Sequence, residues 1–289
     1  MESGPLTDVR QTRTSVLGLF LVLDYALVTL AVLLLAAGTF APVSHATRGL
    51  LSQTLLVNLL VGLVAAGVVL GPGRLRPEHI GLIRSKLPFG IAVTVGLWAV
   101  VEVIEAVLAL VMDGSITLAP DWSDIGVTAT VGLLLGQLFG NALYEDVAYR
   151  GFLFPQLLLK ARARWPTDAG RAMAGAMVVS QVLFALRHVP GDLVAGTGPA
   201  AIALHLLIVT VIGIALVLLY RRTGNLFIVI GVHALIDAPT PLIRPTLIGP
   251  SYLVIALGVL LLLLWPHDVR RSPTLQSADA VAGSQAPGA

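Results

Sequence analysis

Glu145, Asp146 and Arg150 lie within one apolar stretch of the chain, and two later apolar stretches carry His188 and then His233 with Asp237. Placing one charged side chain at the centre of a bilayer costs at least about 2.5 to 3.5 kcal/mol, so such residues usually pair around a functional cavity. Spacing assigns the first partnership. Asp146 and Arg150 are four residues apart, acid first, and share one helical face as a favourable ion pair. Glu145 is rotated about 100° from Asp146 and is the acid less committed to that pair, which leaves it available as a general base. The plain structural alternative is an ion pair that fixes helix packing, but a lone pair has no need of a third acid beside it.

Phe184 and His188 fall on one face of a later helix, and His233 and Asp237 stand at i and i+4 on another. Each has a bland reading, as an interfacial histidine or as a self-satisfied His and Asp pair. Their conjunction favours acid and base chemistry. The chain has no cysteine, which excludes disulfides, thiolate nucleophiles and Cys-ligated zinc. One Glu and two His could ligate zinc, but there is no His-Glu-x-x-His sequence, and a Glu spent as a ligand leaves no evident base; no cofactor is expected. Asp24, Asn58, Glu102 and Glu105 are further polar residues in apolar stretches, and the Glu pair could line the same cavity or form a proton site.

The elements that position these residues are membrane spans. Of the residues, 56% are hydrophobic and 12% charged, against roughly 25% charged in soluble domains, which indicates a polytopic membrane protein of all-α class. Eight apolar runs fit the length needed to span, at 15–40, 52–70, 88–112, 126–158, 170–187, 199–220, 225–243 and 247–265. The fourth is longer than a bilayer requires and is expected to tilt, project or break near Gly151 or Pro155. With both termini cytoplasmic, 14 of the 18 Lys and Arg residues fall on the inner side, as the positive-inside rule requires. Arg48, Arg187 and Arg244 fall on the outer side, and Arg150 lies in a span. The basic residues form short clusters rather than a face, so no nucleic acid is expected as a partner. The expected organisation is one transmembrane domain, 1–267, followed by a tail, 268–289, too poor in bulky apolar residues to fold. At about 1.5 Å per residue from the nearest inner basic residue, Glu145, His188, His233 and Asp237 lie roughly 16 to 25 Å along straight helices, depths at which they could meet.

Glu-Asp-x-x-x-Arg-Gly at 145–151, Phe-x-x-x-His at 184–188 and His-x-x-x-Asp at 233–237, in that order on successive helices, resemble the CAAX protease and bacteriocin-processing family, also called Abi. The resemblance covers residues 125–243. It implies a bundle of about eight helices in a bacterial plasma membrane, surrounded by lipid, acting as an intramembrane endopeptidase on a membrane-associated protein or peptide. It also implies that Glu145 and His188 activate water and that His233 and Asp237 support the oxyanion, with Asp146, Arg150 and Phe184 supporting the site. The sequence departs from the family in having Asp146 for a second Glu, and Asp237 where Asn is frequent. An ionised Asp cannot donate a hydrogen bond, so Asp237 is expected to orient His233 instead. Two other classes remain open: a non-catalytic immunity or scaffold protein of the same fold, and a proton-coupled transporter motivated by the additional buried acids.

Overall fold

The computed structural model describes residues 9–266, and among these the chain is all-helical. In chain order the helices are α1 (Thr14–Ala36), α2 (Ala41–Ala46), α3 (Gln53–Leu70), α4 (Leu87–Asp113), α5 (Trp122–Arg164), α6 (Ala169–Leu186), α7 (Val189–Val194), α8 (Pro199–Thr223), α9 (Leu226–Asp237) and α10 (Pro250–Leu264). Six of the helical segments are long and apolar enough to cross a membrane. The seventh and eighth expected spans correspond to the shorter α9 and α10. Twelve and 15 residues extend only about 18 and 22 Å against a hydrocarbon core of about 30 Å. Pro239 and Pro241 account for the early end of α9, since neither can donate to a helical ladder. The tail assigned to 268–289 lies outside the described residues.

α5 is the central element. It crosses between two apolar cores, giving Tyr144, Ala148, Tyr149 and Phe152 to one, with α1 and α3, and Ala142 to the other, with α4, α8, α9 and α10. Of the outcomes expected for this long run, a break near Gly151 or Pro155 does not occur. Helical structure instead continues to Arg164, with wide π turns over Gly136–Ala142 and Asp146–Leu153. The second of these runs directly into the segment that carries Pro155 at its start, so the proline meets a ladder already shifted from the i→i−4 pattern with which its ring would clash. The backbone departs from helical geometry at Gly126 instead, where φ is +88°.

In lipid, helices gain little from apolar burial against one another and approach closely through small residues. Gly151 shows why a glycine follows Arg150. A Cβ there would stand 2.3 Å from the carbonyl oxygen of Ile80, so the 71–86 loop rests directly on the backbone of α5. Gly224, at φ +64°, ends α8 and donates its N–H to Tyr220 O at 2.8 Å. The Asn225 side chain then accepts the Phe227 N–H at 3.0 Å and starts α9. This tight turn sets α9 in the centre of the bundle, with residues 228–235 all buried.

Glu102, one of the additional buried acids, serves the fold. Its carboxylate accepts the N–H groups of Leu242 at 3.0 Å and Ile243 at 3.3 Å, pinning the segment after α9 to α4. The N-terminal residues, the 71–86 loop and the end of α5 share one pole of the bundle. There Lys160 Nζ donates to Thr12 O at 3.2 Å, and Lys86 Nζ donates to Gly224 O at 2.7 Å. Lys86 and Lys160, two of the basic residues expected on the inner side, thus lie at this end. Because the atom that a new side chain would meet at position 151 is backbone, Gly151→Ala should destabilise the protein by about 1 to 3 kcal/mol, the usual cost of overpacking. A lower thermal unfolding midpoint in detergent, with Gly67→Ala as the control at an uncrowded glycine, tests this.

Candidate active site

Six charged side chains converge where α5, α6, α9 and α1 meet. Glu145 is 3% exposed and bonds through Oε1 to Nη1 of Arg187. Its second oxygen, Oε2, has no hydrogen-bond partner and lies 3.5 Å from Nε2 of His233. Arg187 is itself buried, with Nε 3.9 Å from Oδ2 of Asp24. Asp24, in the middle of α1, accepts the hydroxyls of both Tyr144 and Tyr149. Tyr25 donates to the carbonyl of Leu183 at 2.7 Å and holds α1 against the end of α6.

Sequence spacing places Arg187 on the outer side of the membrane among the loop charges; the structure buries it. A basic residue at the end of an apolar run reads as a loop charge whenever its partners lie on other helices, and those of Arg187 are 42 and 163 residues away. One signal was available in the composition of the spans. Asp24, Glu102, Glu105, Glu145, Asp146 and Asp237 together outnumber Arg150, so the bundle needs a second cation.

Asp146 makes the expected i,i+4 ion pair with Arg150, at 3.2 Å, with both side chains fully buried. It also accepts from Nδ1 of His233 at 3.2 Å. The carboxylate at position 237 is expected from the sequence to orient His233. Here Nδ1 faces Asp146, and Asp237 lies on the other side of the ring, its Oδ2 3.6 Å from Nε2. Asp237 is fixed in turn by Asn141, whose amide donates to Oδ2 at 3.1 Å. Asn141 escapes sequence inspection because an isolated amide four residues before Glu145 carries no spacing signature of its own.

His188 reaches the site by ring packing rather than by a direct ion pair. Its Nδ1 lies 3.2 Å from the carbonyls of Phe184 and Ala185. Carbonyls only accept, so Nδ1 carries the hydrogen and Nε2 presents a lone pair. Phe184 is the shared platform: its ring meets His188 edge-on at 5.1 Å, His233 at 6.3 Å and Tyr149 at 5.2 Å. The Arg150 guanidinium lies over the same ring at 3.9 Å. Beyond His188 stands a pair unanticipated from the sequence, His205 with Asp192, joined through Nδ1 at 2.9 Å, with the two histidine rings 5.7 Å apart.

The structure therefore brings Glu145, Asp146, Arg150, His233 and Asp237 into one ionic cluster, buried except at Asp237, and it attaches His188 to that cluster through Phe184. Residues 127–239 match the Rce1-like family of type II CAAX prenyl endopeptidases. The match encloses all three motifs, so the resemblance carried by Glu145 to Gly151, Phe184 to His188 and His233 to Asp237 holds across that segment. No curated protein and no solved structure matches the chain. At the coarse level these findings support a peptidase that is a multi-pass integral membrane protein with a lipid environment and peptide substrates. Among the described residues, no group of three or more His, Asp and Glu is arranged to hold a metal ion.

Removing one partner from a buried ion pair strands the other charge and typically costs about 3 to 5 kcal/mol. Arg187→Gln should therefore lower the unfolding midpoint strongly, and Glu145→Gln added to it should recover part of the loss. Thermal melts of the two single variants and the double in detergent measure this coupling; additive losses would mean that the pair does not interact.

Proposed function

We propose that the chain is an intramembrane endopeptidase that hydrolyses a peptide bond of a membrane-associated protein or peptide, with a water activated by Glu145 and His188. The observation that carries this reading is the division of labour within Glu145. One oxygen is held by Arg187, and the other is buried and without a partner, beside His233. Most buried carboxylate oxygens have a hydrogen-bond partner, and the free Oε2 of Glu145 is the acceptor that a water at this position would meet.

In this mechanism Glu145 Oε2 and His188 Nε2 hold the water. As its oxygen attacks the scissile carbonyl carbon, Glu145 takes the water proton and then delivers it to the leaving amine, so that both proton transfers pass through one positioned group. Negative charge builds on the carbonyl oxygen. His233 meets it from Nε2 as the doubly protonated ring, because its Nδ1 hydrogen is already given to Asp146. Asp146 and Asp237 flank that cation on its two nitrogens. Asn141 supplies a neutral amide donor beside it, the function that the Asp237 carboxylate cannot perform when ionised. Arg150, braced by Asp146 and lying on Phe184, keeps the helix carrying both acids in place.

Of the additional acids that motivated the transporter reading, Asp24 and Glu102 are engaged by tyrosine hydroxyls and by backbone N–H groups. Zinc is not required by this scheme, since the Arg187 contact already occupies one oxygen of Glu145.

Proteomic comparison of membranes from cells expressing wild type and Glu145→Gln tests the assignment. Peptides released only with wild type are expected, and purified Glu145→Gln and His188→Ala proteins should lose at least about 10³-fold in cleavage of that substrate. Asn141→Ala should lose about 10² to 10³-fold, the usual effect of deleting one oxyanion donor. Full activity in folded Glu145→Gln protein would overturn the mechanism. Extensive dialysis against a chelator should leave the wild-type rate unchanged.

A further inference from the structure

Behind the catalytic segment of α5, and separate from the Glu145 carboxylate, an apolar cavity of about 250 Å³ lies between α3, the outer side of α5 and the 71–86 loop. Its wall on α3 runs from Asn58 to Leu70, with Gly62, Ala65 and Ala66 leaving room for an occupant. Leu63 on its rim is 70% exposed and Phe139 is 54% exposed, so the groove opens onto the hydrocarbon. Twelve residue steps make it about 18 Å long, close to the depth of about 15 Å of one leaflet in a 30 Å core.

The end of the groove at Pro77, Ile80 and Leu82 meets the basic pole of the molecule. Arg74, Arg76 and Arg84 are exposed there and form no ion pair among the described residues, while Glu78 is the only acid between 71 and 86. The loop is held in shape: the Arg76 N–H donates to Nδ1 of His79 at 3.0 Å, and Gly151 admits the Ile80 carbonyl against α5. The Thr12 hydroxyl, 3.4 Å from Gly73 O, brings the exposed Arg10 and Arg13 to the same end.

From this arrangement we infer that the groove is a binding site for an anionic phospholipid, with one acyl chain lying along α3 and the phosphate at Arg74 and Arg76. An acyl chain fits the length, apolar lining and lateral opening, and the excess of arginine at one end favours a negative headgroup. The site is wired to the ionic cluster. Tyr144 forms part of its wall, and the hydroxyl of the same residue bonds to Asp24, which faces Arg187. An occupant that holds the Tyr144 ring therefore steadies the group that orients Glu145.

Native mass spectrometry of the full chain purified in mild detergent, with added phosphatidylglycerol or phosphatidylcholine, tests the proposal. Wild type should retain one phosphatidylglycerol and prefer it over phosphatidylcholine by about tenfold, as expected for two arginines near the headgroup. Ala66→Trp, which fills the groove, should lose the bound lipid while keeping wild-type helicity by circular dichroism. Arg74→Gln with Arg76→Gln, both at exposed positions that carry no packing, should erase the preference but keep acyl-chain binding. Retention of the lipid by folded Ala66→Trp protein, or equal binding of the two lipids by wild type, would overturn it. These readouts need no substrate, so they remain decisive whether or not the hydrolytic mechanism holds.

Discussion

The bundle depends on the neutralisation of Glu145 by Arg187. An uncompensated carboxylate at this depth would be intolerable, and an uncompensated guanidinium equally so; each makes the other's burial affordable. The pair also joins parts of the chain that share no sequence neighbourhood: Glu145 on the central helix, Arg187 at the end of α6, and Asp24 on α1 through Arg187 and two tyrosine hydroxyls. The first helix lies outside the segment that matches the protease family, yet it supplies the acid that faces Arg187. The family segment is therefore not electrostatically self-contained in this protein.

Two further features convert charge compensation into a directed site. The π turns of α5 widen the helix on either side of Leu143–Glu145, and such turns are frequent at functional positions because they re-aim side chains without ending the helix. Phe184 then acts as a packing standard for the functional rings. One aromatic side chain sets the separations of His188, His233, Tyr149 and the Arg150 guanidinium at once. Edge-on contacts suit the ring quadrupole, and a cation over the face is attracted to it, so the geometry is held by several favourable contacts to the same ring.

What was legible in the sequence divides along a physical line. Asp146 with Arg150 could be read because both sit on one helix, where geometry fixes which residues are neighbours. The all-helical class and the long spans could be read because lipid demands length and apolarity of any helix that crosses it. The partnership of Arg187 with Glu145, and the Nδ1 contact of His233 with Asp146, could not, because contacts between helices depend on rotation and crossing angle, which no local spacing encodes. The same limit explains α9. Counting apolar residues from 225 to 243 suggests a full span, whereas the prolines after Asp237 end the helix, and Glu102, from another helix, captures the chain that follows.

His233 illustrates how a departure at one position is absorbed by its surroundings. An amide at position 237 could donate to an oxyanion and also touch the imidazole; a carboxylate can only accept. With Asp237 present, the ring is bounded by acid on both nitrogens, Asp146 at Nδ1 and Asp237 near Nε2. That arrangement places a carboxylate at each ring nitrogen, and charge-assisted hydrogen bonds of this kind are stronger than those an amide makes. The amide donor has not vanished from the site, since Asn141 brings one from the preceding π turn and bonds to the very oxygen that replaced it. Position 237 therefore sets an anion beside the ring where an amide could stand, with Asn141 bringing a hydrogen-bond donor from another helix.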